Sequence, residues 1–433
     1  MKKSSNFLAK AKNKFHRLGL RSDPFTESRS ITDGSINNVF TGRDAELEQV
    51  AQRLLGEERR RILVYGRIGI GKSAFLGKIL TDLEDYTSEI LVVRATLQEN
   101  QDLAEAALIE LARAMPDNAL AKRQLYALGI LQRQAPKKLK SEAGANLIAS
   151  GKFTEEDNPI PELKNPAINL NILIEEAKKQ YSGGVLIAID DLDKQDPKRV
   201  RDLMHNAQGI LKGSAWYILT GHPTGITHDL LTTERGLFDL RLELKELDPD
   251  TRYQMLINYL NSVRIDNDCD DPDNPQSVLP FLPDTAQRFC DESRGRPRLF
   301  NRLGSAVLNA ALKEVDKHPD GEPVHITHEV LETGLQAAYS NFREQAALAM
   351  QTQRVLGLLE RKGGLSDESI TLDELHSIGF SSFNEIVPFL ERLQDADLAY
   401  RRDLEDATEY EAILPPGSIE AIAELPPSAD STE

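Results

Sequence analysis

The stretch Ile62–Leu76, ILVYGRIGIGKSAFL, carries an apolar run into a glycine-rich turn that closes on lysine and serine. Within it GRIGIGKS, Gly66–Ser73, fills every fixed position of the pattern G-x-x-x-x-G-K-[ST]. With glycine near 7% of average composition, a chance match in a chain of this length is on the order of one per cent. RILVYG before the turn reads as a buried strand and KSAFLGKILTDL after it as a helix, the placement the pattern requires. In that setting the backbone of Gly66, Arg67, Ile68, Gly69, Ile70, Gly71, Lys72, Ser73 and Ala74 wraps a phosphate group, and the helix N-terminus adds partial positive charge. Lys72 then reaches the outer phosphates of a nucleotide, and Ser73 offers its hydroxyl to Mg²⁺.

Strands and helices alternate around this turn: EILVVRATL, DLAEAALIELARAM, NLNILIEEAKKQ, GGVLIAIDDLD, KRVRDLMHNAQGIL, SAWYILTGH and FDLRLELKEL. Such alternation predicts an α/β fold, a parallel sheet with helices on both faces, and the strands read as the continuous apolar runs of a sheet covered on both sides. VLIAIDD carries Asp190 and Asp191 to the carboxyl edge of the sheet, where open α/β sheets bind ligands. Asp190 is the candidate second ligand of Mg²⁺, and Asp191 the group that orients or deprotonates an attacking water. Residues 116–166 interrupt the alternation with a polar, lysine-bearing segment that reads as a loop or hairpin, or as a partner-contacting surface.

From Asp248 the pattern turns helical, through TRYQMLINYLNSV, PDTAQRFCDES, RPRLFNRLGSAVLNAALKEV and THEVLETGLQAAYSNF. The acidic break DNDCDDPDNP lacks the spacing of a calcium loop and reads as a solvated connection. RVLGLLERKG, ITLDELHSIG and SSFNEIVPFLERLQDA are three further helices, and two short strands around a polar turn follow them, which together predict a winged helix. The expected domains are a basic N-terminal arm over 1–35, a nucleotide-binding domain over 36–246, a helical lid over 247–340, a winged-helix-like domain over 341–415 and a flexible acidic tail over 416–433.

A chain of 433 residues exceeds what one hydrophobic core usually organises. Two cysteines exclude a disulfide framework, and no apolar run approaches the length of a membrane helix, so the expectation is a cytoplasmic protein without membrane contact. The net charge of −17 argues against indiscriminate attraction to phosphate backbones. Its distribution is uneven. Residues 1–21 hold seven Lys or Arg and no acid, whereas residues 341–433 hold seven basic and nineteen acidic residues. In the arm, Phe7, Leu8, Ala11, Phe15 and Leu18 would share one helical face, which reads as a helix docking on the body or a solvated tail, or as a contact with nucleic acid or a membrane surface. In VFTGRDAELEQVAQRLL, Thr41 and Asp44 offer helix-start chemistry.

Taken in order, FTGRDAEL, the phosphate loop, DD after an apolar strand, YILTGH, and SRGRPRLFNRLGSAVLNAAL resemble the AAA+ P-loop ATPases. The likeness extends to the origin-recognition-type initiator clade and to related bacterial transposition, signalling and defence ATPases, over roughly residues 36–415. It implies ATP and Mg²⁺ as cofactors and places Val39, Phe40, Gly42 and Arg43 beside the adenine. It further implies Thr220 as the polar residue that senses the γ-phosphate, with His222 a weaker candidate, and Arg298 of Gly295–Arg298 as the lid arginine acting in cis. An arginine from a neighbouring subunit usually completes such sites; Arg235 is the first candidate and Arg241 the second. Asp191 stands where the family commonly has Glu, which implies slow hydrolysis.

Two functions stay open at this point. One is a nucleotide-dependent assembly switch on DNA, of initiator, loader or transposition-regulator type, gripping DNA through the basic arm or the insertion. The other is a signalling or defence ATPase whose acidic winged helix docks a protein partner. Both imply a homo-oligomer.

Overall fold

The computed structural model describes residues 4–25, 39–56, 60–97, 101–131, 165–190, 192, 207–221, 237–265, 269–319, 322–346, 349–403 and 408–413. They form two compact units. A sheet unit comprises Arg43–Arg67 and Lys72–Lys245, and a helical unit comprises Met1–Gly42, Ile68–Gly71 and Glu246–Glu433.

In the sheet unit β1 (Arg61–Tyr65), β2 (Ile90–Thr96), β3 (Gly184–Asp190), β4 (Trp216–Gly221) and β5 (Leu240–Glu243) lie in the order β2-β3-β4-β1-β5. Every pairing is parallel, as the alternating sequence predicts. Side chains of a strand alternate between faces. Val185, Ile187 and Ile189 therefore join Leu91, Val93, Leu63 and Leu219 in one core, which buries α4 (Leu103–Ala114) and α6 (Pro166–Lys178). The opposite parity of β2, β3 and β4 faces α3 (Lys72–Tyr86), whose stripe of Phe75, Leu76, Ile79, Leu80 and Leu83 is buried. α2 (Asp44–Leu54) precedes β1. Its N-cap is Arg43 in a left-handed conformation without a side-chain cap, and Thr41, expected to start the helix, instead donates to Val39 O at 3.0 Å.

The segment expected to interrupt the fold from residue 116 contains a helix, α5 (Ala119–Ala127). Asn118 caps it by accepting from the N–H groups of Leu120 and Ala121, and Ala121 and Leu125 bury its inner face. Residues 132–164, with the expected hairpin, lie outside the described residues.

The helical unit contains α1 (Ser4–Arg17), α7 (Pro249–Asn261), α8 (Pro283–Glu292), α9 (Pro297–Val315) and α10 (His328–Gln345). Its centre is aromatic. Phe25 stands 5.7 Å from both Phe289 and Phe300 and 6.1 Å from Tyr259, ring centre to ring centre. Gly304 clears space for it, since a Cβ there would fall 2.4 Å from the Phe25 ring. The basic arm docks here: Leu18 and Leu20 are buried, Lys14 pairs with Asp316, and Arg17 donates to the carbonyls of Val315, His318, Pro319 and Glu322. Contrary to the expected apolar face, Leu8 is exposed. In the described part of the acidic break, residues 269–275, Asp271 and Asn274 cap turns and Asp270 accepts from Asn261.

The same unit ends in a winged helix made of α11 (Met350–Lys362), β6 (Gly364–Leu365), α12 (Leu372–Ser377), α13 (Phe383–Asp395), β7 (Ala399–Asp403) and β8 (Thr408–Ala412). Its antiparallel sheet has the order β6-β8-β7, so a short first strand joins the hairpin read from the sequence. Among the described residues no helix is long and apolar enough to cross a membrane.

Candidate nucleotide site

The turn Gly66–Gly71 joins the end of β1 to the start of α3. Gly69 and Gly71 have φ of +80° and +98°, backbone that a side chain disfavours. At Gly69, which stands at a variable position of the motif, a Cβ would also meet Arg298 Cβ at 2.8 Å, so glycine there serves a close approach as well as a turn. Lys72, only 7% exposed, folds back along the loop and donates to Gly66 O at 2.8 Å and Arg67 O at 3.0 Å.

Asp190, 2% exposed at the end of β3, is where the sheet brings donors together. Ser73 Oγ donates to its Oδ1 at 3.2 Å and the Thr220 hydroxyl donates to the same oxygen. Arg94 Nη2 lies 2.5 Å from Oδ2. A buried carboxylate needs a cation or a full set of donors, and Arg94 supplies the charge. The convergence follows from register. Arg94 stands opposite Ala188, two residues before Asp190, so both side chains have the parity that faces α3.

Arg94 was absent from the sequence reading because its role depends on which strand neighbours which. The strand EILVVRATL offered one signal, a charged residue amid apolar ones. The pair Ser73–Asp190 suits a small hard cation such as Mg²⁺, with one hydroxyl and one carboxylate oxygen adjoining a phosphate turn.

The other candidates fall as follows. Arg298 donates its backbone N–H to Gly69 O at 3.1 Å, and its exposed side chain lines a groove of about 590 Å³ with Asn301, Arg302, Ser305 and Lys313. Val39 is buried in the core of the helical unit, and Gly42 (φ +73°) lies so near Thr251 that a Cβ would meet its methyl at 2.6 Å. Phe40 is half-buried. Arg43 is tied to Glu46 at 3.1 Å and donates to Lys245 O. Arg241 lies on β5, opposite Leu63. Asp191, His222 and Arg235 lie outside the described residues.

Residues 39–209 match the family model of the AAA ATPase domain. No curated protein matches the chain. Among solved structures, the chain is similar to the ORC1 protein of Aeropyrum pernix in complex with DNA, at 15% identity and a TM-score of 0.47, covering 90% of this chain and 94% of that one. It is also similar to Cdc6p of Pyrobaculum aerophilum, at 13% identity and a TM-score of 0.45, covering 92% and 96%. For the RuvB Holliday junction branch migration motor of Thermotoga maritima the values are 14%, 0.41, 90% and 97%. With the phosphate turn, the buried acidic strand end and this match in agreement, the chain carries an AAA+ P-loop ATPase domain.

Proposed function

We propose that the chain is a Mg²⁺-dependent ATP switch that binds nucleotide, assembles with further copies of itself and resets by slow hydrolysis. The observation that carries this reading is the cluster of Lys72, Ser73, Thr220 and Arg94 around the phosphate turn and Asp190. Lys72 is the cation for the outer phosphates: its two bonds to loop carbonyls are ones it can exchange for phosphate oxygens. Ser73 and Asp190 would hold Mg²⁺, which when bound neutralises phosphate oxygens as charge develops. Thr220, fixed by Asp190, reads the γ-phosphate from the strand end. Asp191 orients water, Arg298 contributes from the lid, and Arg235 is the candidate from a neighbouring copy.

ATP binding by Lys72→Ala, followed with a fluorescent nucleotide, tests the core of the proposal. A loss of about 100-fold or more is expected for removal of a charge-assisted phosphate contact. Affinity equal to that of the wild type would overturn the reading.

For the partner, DNA is one reading, with Lys10 and Lys12 exposed on α1. A protein partner is favoured by a specific observation. The helix α13, which a DNA-binding winged helix would lay along phosphates, carries Glu385, Glu391 and Asp395 against Arg392 alone. Sizing the protein with ATP or ADP, with and without DNA, separates the two, because only the first reading makes assembly depend on DNA.

A further inference from the structure

Four arginines of the segment Arg294–Arg302 leave it in different directions, all within the helical unit. Arg294 pairs with Glu411 of β8 at 3.1 Å and lies 5.0 Å from the centre of the Tyr400 ring. Arg302 pairs with Asp397 at 2.7 Å and covers the Phe342 ring. Arg298 ties its backbone N–H to Gly69 O. Arg296 reaches in both directions. Its guanidinium is buried, and Nη2 lies 2.8 Å from Asp397 Oδ1 while donating long bonds to Gln394 O at 3.4 Å and to Ile68 O, in the phosphate turn, at 3.3 Å.

The hydrogen-bonding of this group is incomplete. Arginine presents five N–H donors in a fixed fork. Here Nη2 donates to two carbonyls, while the buried Nε and Nη1 have no hydrogen-bond partner among the described residues. Asp397 Oδ1, although close to Nη2, is too poorly aligned to accept from it. Charge, more than hydrogen bonding, therefore keeps Arg296 under the phosphate turn. Asp397 belongs to the winged helix, in the turn between α13 and β7, and holds a left-handed conformation with φ of +62°.

We propose that Arg296 is a positioning residue for the phosphate turn and that Asp397 holds it there, so that the winged helix sets how firmly the turn retains nucleotide. This rests on the reading of the site as an ATP switch and names its regulation. With Asp397 in place, Arg296 braces the Ile68 carbonyl and restrains the turn. A partner that draws the winged helix away from the lid segment withdraws Asp397, strands a buried cation and frees the brace. Nucleotide must in return bias the winged helix, because coupling between two sites is reciprocal.

The test is release of a fluorescent ADP analogue from the full chain, with hydrogen exchange of the phosphate-turn amides as a second measurement. Asp397→Asn removes the charge but keeps a residue that tolerates the left-handed backbone. Arg296→Lys keeps a charge but loses the fork. Arg302→Met removes the second partner of Asp397 without touching Ile68, and so serves as a control for damage to the winged helix. Expected are at least about fivefold faster release and faster exchange at residues 68–72 in Asp397→Asn and Arg296→Lys, with Arg302→Met within about twofold of wild type.

Release and exchange at the wild-type rate in Asp397→Asn would overturn the proposal, and so would Arg302→Met matching the other two. Should Arg296→Lys fail to fold, Asp397→Asn decides alone by the same two measurements. A wild-type chain that retains no ADP overturns both the brace and the switch reading; one that retains ADP through Lys72 while the variants are unchanged overturns only the brace.

Discussion

Among the described residues, donors from three different elements hold Asp190, and each could be located in the sequence to a different degree. Ser73 was readable from its motif, and Thr220, near the end of the strand that follows the acidic one, was readable through the family resemblance. Arg94 was not, because its meaning comes from lateral register between β2 and β3. Arg94→Met should leave Asp190 short of a counter-charge. Removing one partner of a buried pair costs about 3–5 kcal/mol, and with Arg94 a quarter exposed the expected loss is about 2 kcal/mol. A fall in the urea midpoint would measure it. Gly69→Ala should act differently, since an alanine at φ +80° carries about 1–2 kcal/mol of backbone strain and would press on Arg298. About tenfold weaker ATP binding with little change in melting temperature is expected. The buried thiol of Cys290 is pushed up to about 12, chiefly by desolvation and then by Asp291. A thiol reagent near neutral pH should therefore modify Cys269 in the native chain and both cysteines only after denaturation.

At the scale of elements, periodicity located most helices, whereas the short ones depended on caps. α5 was missed because its two buried positions, Ala121 and Leu125, lie in a lysine-bearing segment, yet Asn118 was a readable start signal. β6 was missed because two residues carry no periodicity and gain strand geometry only from β8. The packing of α9 on α10 needs Gly334, where a Cβ would fall 2.4 Å from Val307 Cα. Backbone cannot yield as a side-chain tip can, so Gly334→Ala should cost about 1–3 kcal/mol, seen as a lower melting temperature. In the winged helix, Glu374 closes a capping box with Thr371 at the start of α12 and pairs with Lys362. Lys362 first, and then Thr371, hold its carboxyl down to about 2, below its ordinary value of 4.5. A depressed carboxyl stabilises the folded form above its unfolded pKa and loses that contribution as pH falls through the folded one. Stability of the wild-type chain should thus carry a Glu374-dependent decline between about pH 4.5 and pH 2, read as helical signal against pH, and Glu374→Gln should remove that part of the slope.

For the whole molecule, the net charge of −17 and the docked N-terminal helix change what a test of DNA binding must look like. The sequence set a basic arm apart from the body, but Arg17 binds carbonyls around the end of α9, and Leu18 and Leu20 belong to the core. Deleting residues 1–21 would therefore damage the helical unit along with any phosphate contact, and a lost affinity would be uninterpretable. Lys10 and Lys12 are exposed and carry the charge without the packing. Reversing both, Lys10→Glu with Lys12→Glu, should leave melting unchanged. If α1 grips DNA, each neutralised phosphate contact contributes about 0.9 to the slope of log affinity against log salt, so the slope should fall by roughly 2. Measuring binding of a duplex at several salt concentrations, with ATP present, reads that slope directly. An unchanged slope and affinity would remove α1 from the DNA reading and leave the acidic face of α13, which repels phosphates, to a protein partner.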